Sequence, residues 1–134
     1  MFCFRIASVY AARALGPGPL DISGSLDVTS LADIVDLVIA EGCFGETGAA
    51  LEALQAAAMA TDPVIVAAYE KIARDEQRHA ELAFRFVRWA LEQDAPAVQE
   101  RIQAVLDSEF GQAHEARSVA EPCLSALIGV SLAA

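Results

Sequence analysis

Basic residues are scarce in this chain: nine Lys and Arg stand against 19 Asp and Glu in 134 residues, a formal net charge of −10. The few cations fall mostly on one helix-forming stretch, interleaved with acids at i,i+4 spacing, where they read as solvated ion-pair partners. Nucleic acid and an anionic membrane are therefore not expected as partners. The acidic excess either draws cations or simply keeps the chain in solution. Cysteine is also short. Cys3, Cys43 and Cys123 are odd in number and far apart, so they form neither a disulfide framework nor a CxxC pair. A reducing, cytoplasmic setting with the cysteines as small core residues is the expectation. Long apolar runs are missing too. Residues 1–15 are interrupted by Arg5 and Arg13 and lack the ordered regions of a signal peptide. Residues 123–134 fall well short of the roughly 20 that a membrane-spanning helix needs. β-branched runs are short, Gly and Pro cluster in a few places, and no repeat is visible.

What remains is a chain that is 55% apolar and dominated by Ala, which predicts an all-α fold closed around one core. Residues 1–134 read as a single helical domain. Residues 1–15 have helical composition, and Gly16-Pro17-Gly18-Pro19 stops that helix and opens a Gly/Pro loop over 16–29. Ser30, with Asp33 three residues on, is an N-cap for a helix that runs to residue 60. Asp62 caps the next helix, with Pro63 at its first position, and the pattern continues to residue 93. Residues 30–93 thus form a helical hairpin whose short connection makes its arms antiparallel. Residues 96–134 hold an amphipathic helix over 97–110, with Val98, Ile102, Val105 and Leu106 inward, then a short helix or packed tail over 119–132.

The chemistry sits on the hairpin. On a wheel of about 100° per residue, Ile65, Tyr69, Ile72, Ala80, Ala83 and Val87 fall within about 40° of Glu76, with His79 about 60° to one side. Glu76 is thus a carboxylate at the centre of the apolar stripe. Unpaired, it would cost several kcal/mol or be forced neutral. Two readings answer this: a hydrogen bond to His79, or a metal ion held by both, since i,i+3 spacing lets a carboxylate and an imidazole converge. The facing helix carries Gly42, Gly45 and Gly48, each costing roughly 1 kcal/mol against Ala. Those glycines call for close approach, either of a helix or of an inorganic centre. In a hairpin centred near residue 61 or 62, facing levels have numbers summing to about 123. That places Glu46 opposite Glu76 and His79, and Glu41 roughly 7 Å lower. Both acids are expected to be partly buried. Glu46 is expected to be the ligand, with Glu41 as a second carboxylate at the site or a supporting partner. A slip of one turn exchanges their roles. Tyr69 reads as a core tyrosine, His114 as exposed and uninvolved, and Asp75 as pointing away from the stripe. Phe84, Phe86 and Trp89 read as core or interface residues.

The run Glu41-Gly-Cys-Phe-Gly-Glu-Thr-Gly-Ala-Ala-Leu-Glu-Ala-Leu, with Asp75-Glu-Gln-Arg-His-Ala-Glu-Leu-Ala-Phe-Arg-Phe, resembles the second half of bacterial ferritin-like domain proteins. These share the architecture of rubrerythrin and other di-iron carboxylate proteins. The resemblance spans about residues 3 to 110 and implies a ferritin-like antiparallel bundle. It also implies a metal set of Glu46, Glu76 and His79 with Glu41, and iron as the cofactor, with Mn or Zn as alternatives. Residues 3–10 are similar to the end of that family's second helix, so the first helix and first Glu-x-x-His are expected to be missing. No acid precedes Asp21. One chain then offers about three of the usual six ligands. A homodimer would restore the count through two Glu46, two Glu76 and two His79, whereas a truncated, metal-free interaction module would leave it short. A metal-binding role is put ahead of a di-iron oxidoreductase or ferroxidase, because half the ligand set is absent.

Overall fold

The computed structural model describes residues 2–16, 18, 19, 24 and 30–132, without the side chains of 2–4 and 130–132. The Cys3 side chain and most of the Gly/Pro loop therefore lie outside what is described. No strand forms among the described residues, and the fold is an all-α helical bundle.

Helix α1 (Phe2–Tyr10) ends earlier than composition predicts. Helix α2 (Leu31–Leu37) starts on Ser30, whose side chain accepts from the Asp33 backbone N–H, as its cap chemistry requires. It runs without a break into a π-helical segment (Val38–Glu46) and then α3 (Thr47–Met59). Helix α4 (Pro63–Gln93) is capped by Asp62, which accepts from the Val64 N–H at 2.8 Å. The predicted 97–110 helix is instead α5 (Ala95–Asp107) and a short α6 (Glu109–Ala113). Ser108 divides them because its side chain accepts from the Gly111 N–H and caps a new turn. The tail is helical as α7 (Arg117–Leu132), with Pro122 inside it.

The arms of the hairpin run antiparallel. Gly42 faces Ala83, and Glu46 faces His79, so facing levels number to 125 and not 123. A Cβ on Gly42 would meet the Ala83 Cβ at 2.5 Å, so this glycine sets the distance between the arms. Helices α5 and α7 pack on one side of the hairpin. There Val35, Ile39, Phe44, Val87, Ile102 and Leu124 are fully buried together. An Arg101–Asp36 pair at 3.0 Å ties α5 to α2. Helix α1 lies against the first part of α4, with Ile6, Ala7 and Tyr10 beside Ile65, Tyr69 and Ile72. The Tyr10 hydroxyl donates to the Asp62 carboxylate at the hairpin turn.

Candidate metal centre

Helix α4 is amphipathic, and its apolar stripe sets the azimuth of everything on it. Ala73, Ala80, Ala83 and Val87 are buried against the other arm, which turns Glu76 toward the hairpin seam. His79 is one turn on. Its Nδ1 lies 2.9 Å from a Glu76 carboxylate oxygen and 3.8 Å from one of Glu46. One ligand atom from each of Glu46, Glu76 and His79 falls within 4.8 Å of the others. Exposure grades across the group: the Glu76 side chain is 24% exposed, Glu46 36% and His79 58%.

The surroundings of Glu46 and His79 alter how tightly each holds a proton. Partial burial pushes the Glu46 carboxyl up, and the hydrogen bond and negative charge of Glu76 push it further, against a pull downward from His79. The hydrogen bond to Glu76, and then the charge of Glu46, hold His79 above the ordinary imidazole value. Two carboxylates this close repel, and a divalent ion between them would relieve that repulsion. Two carboxylates and one imidazole suit Fe, Mn or Zn, and the donors fit such an ion.

Glu41 is exposed, not partly buried, and its carboxylate stands outside the three-residue group. The π segment explains the difference from the wheel. In an α-helix, residues five apart are separated by about 140°, whereas i→i+5 hydrogen bonding stacks them on one face. Glu41 and Glu46 therefore share a face, both lining a depression of about 690 Å³ with Gly42, His79, Leu82 and Phe86. The Glu41 charge also contributes to the upward shift of Glu46. The five-residue spacing and the glycines at 42 and 45 were the available signal, but an α-helical wheel conceals it.

Asp75 points away from the group and pairs with Lys71 at 2.6 Å and Arg78 at 3.3 Å, which hold its carboxyl low. Tyr69 is 37% exposed and so is not a core tyrosine. Trp89 is 47% exposed beside Phe86, their ring centroids 5.4 Å apart. His114 is neither exposed nor uninvolved. It is half-buried, its ring centroid lies 5.3 Å from that of Phe44 and 5.0 Å from that of Phe110, and its Nδ1 accepts from the Ala116 N–H at 3.1 Å. Phe110 is only four residues back, but Phe44 is 70 residues back, and only the tertiary fold brings it to the ring. Cys43 is buried and its thiol is pushed up to about 12, chiefly by desolvation, so it is an inert core group. Cys123 is exposed, contrary to the core expectation.

No family model, curated protein or solved structure matches this chain. Among the described residues, no helix is long and apolar enough to cross a membrane.

Proposed function

We propose that this chain is a ferritin-like metal-binding protein that holds a divalent ion, iron first, through Glu46, Glu76 and His79. The observation that carries the reading is the convergence of these three donors from two helices to within 4.8 Å. The antiparallel hairpin, the Glu-x-x-His on one arm and the glutamate facing it on the other support the ferritin-like assignment. Glu41 belongs to the site as a supporting carboxylate on the same face as Glu46. Iron in such a set would supply one-electron chemistry with O₂ or peroxide. Binding, not turnover, is the function, because three donor residues are about half of the six-ligand set of a two-metal carboxylate centre. Completion of the set by a homo-oligomer is part of the proposal, and a cytoplasmic location fits the reduced cysteines.

Metal analysis of protein incubated anaerobically with Fe(II) and then desalted tests this. Wild type should retain about one ion per chain, and Glu76→Gln and His79→Ala should each lose at least 10-fold in affinity. Retention equal to that of the variants would overturn the reading. Oxidation of Fe(II) followed in the near-UV separates binding from ferroxidase turnover.

A further inference from the structure

A second depression lies on the α7 side of the hairpin and takes no part in the metal centre. It is a groove of about 700 Å³ between α3, α4 and α7, and it shares no lining residue with the depression that holds Glu46 and His79. Sites for small molecules span roughly 300–1,000 Å³, so the groove has the right size for one. Leu51 and Leu54 line it from α3, Phe84 from α4, and Val119, Cys123 and Leu127 from one face of α7 at four-residue spacing. Thr47 adds little polarity, because its hydroxyl donates to the Cys43 carbonyl at 2.6 Å.

We propose that this groove binds a single-chain aliphatic carboxylate, with its carboxylate on Arg85 and Arg88 and its chain running toward Leu51 and Leu54.

Charge selects the head group. The whole chain carries −10, yet the charged groove lining is two arginines, Arg85 and Arg88, against one glutamate, Glu81. The depression on the metal side, with Glu41 and Glu46, has the opposite sign. Arg85 pairs through Nη2 with Glu81 at 2.6 Å, and Arg88 through Nε with Glu92 at 3.8 Å. Exposed i,i+4 pairs of this kind are weak, and each guanidinium has further N–H donors with which to fork onto a carboxylate. An anion is therefore the charged group that this groove accepts.

Geometry selects the tail. Facing levels of the hairpin number to 125, so Leu51 and Leu54 stand level with the turns of α4 just before Gln77, at the far end of the groove from Arg85 and Arg88. One end is charged and the other apolar, which is the pattern of an amphiphile. From Gln77 to Arg88 the α4 wall runs about 16 Å at 1.5 Å per residue. With C–C bonds of about 1.5 Å an extended chain advances roughly 1.3 Å per carbon, so about twelve carbons span that wall.

Cys123 is a reporter built into the wall, exposed to solvent, whereas Cys43 is buried and inert. The test is N-ethylmaleimide labelling of the full chain, read at each cysteine by peptide mass spectrometry, with calorimetric titration of octanoate, decanoate and dodecanoate below their micelle concentrations. Saturating dodecanoate should slow labelling of Cys123 at least 10-fold and leave Cys43 unlabelled. Affinity should rise about fourfold per added methylene. Arg85→Gln combined with Arg88→Gln should weaken decanoate at least 10-fold while leaving 1-decanol unchanged, and Leu54→Glu, at an exposed position, should weaken both. Circular dichroism identifies any variant that fails to fold, and Leu54→Gln then serves in place of Leu54→Glu. Equal affinity of the wild type for decanoate and 1-decanol would overturn the role of the arginines. Affinity flat with chain length, or Cys123 labelling unchanged by dodecanoate, would overturn the groove. Labelling of Cys43 in dodecanoate would mean unfolding by a detergent, and Cys123 protected without ligand in a species of doubled mass would mean that a second copy fills the groove; either would overturn the proposal.

Discussion

At the scale of single residues, the centre is defined by competition between protons and cations. Glu46 and His79 both bind protons more tightly in the folded chain than they ordinarily would. For each, stability is fully present below the ordinary value and is lost as pH rises through the raised one, because the folded state then holds the extra proton that must leave. The two contributions have the same sign. Asp62 and Asp75, held low, act in the opposite sense, but only below the ordinary aspartate value of 3.8. Thermal melts in chelator should therefore show the metal-free protein less stable at about pH 8 than at about pH 5.5. In Glu46→Gln this slope should flatten. Metal should reverse the trend, since a cation takes the ionised Glu46 and the unprotonated Nδ1 of His79, and its affinity rises as protons are released. A wild-type slope unchanged by Mn(II) would count against the site.

Among the elements, the π segment matters most, since it gives one stretch of chain two opposite tasks. Ile39, Cys43 and Phe44 enter the core, while Glu41 and Glu46 stack on the open side. Gly42 lets the segment approach Ala83. Replacing a helical glycine by alanine ordinarily stabilises by about 1 kcal/mol. Here the added methyl would lie 2.5 Å from the Ala83 Cβ, where overpacking costs roughly 1–3 kcal/mol. Overpacking wins, so Gly42→Ala should lower the urea midpoint. It should also weaken metal binding by moving Glu46 away from His79. Gly42→Ala combined with Ala83→Gly should recover much of both losses. Much of this level was legible in the sequence. Ser30, Asp62 and Pro63 fixed two helix starts because caps are local chemistry. The hairpin register came within two residues because a short turn leaves little freedom. The π geometry was not legible, since no local rule distinguishes it from α-helix.

For the whole molecule, metal should act as a ligand of the native state alone. At 100 times its dissociation constant, such a ligand adds about 2.7 kcal/mol, which for a chain of this length raises Tm by roughly 10 °C. Calorimetry with and without Mn(II) measures it, and Glu76→Gln should show no rise. The all-α architecture was readable from composition and from 3.6-residue periodicity. The ring cluster of Phe44, Phe110 and His114 was not, because it joins the hairpin to the C-terminal helices across a distance in sequence that no pattern spans. The core residues Val35, Ile102 and Leu124 on one side of the hairpin line no part of the depression that holds the donors on the other. Substitutions on the two sides should therefore combine additively, within about 0.5 kcal/mol. In evolutionary terms the two sides are separate properties: a lineage can lose the donors and keep the bundle, or rebuild the core beneath a site that stays as it was.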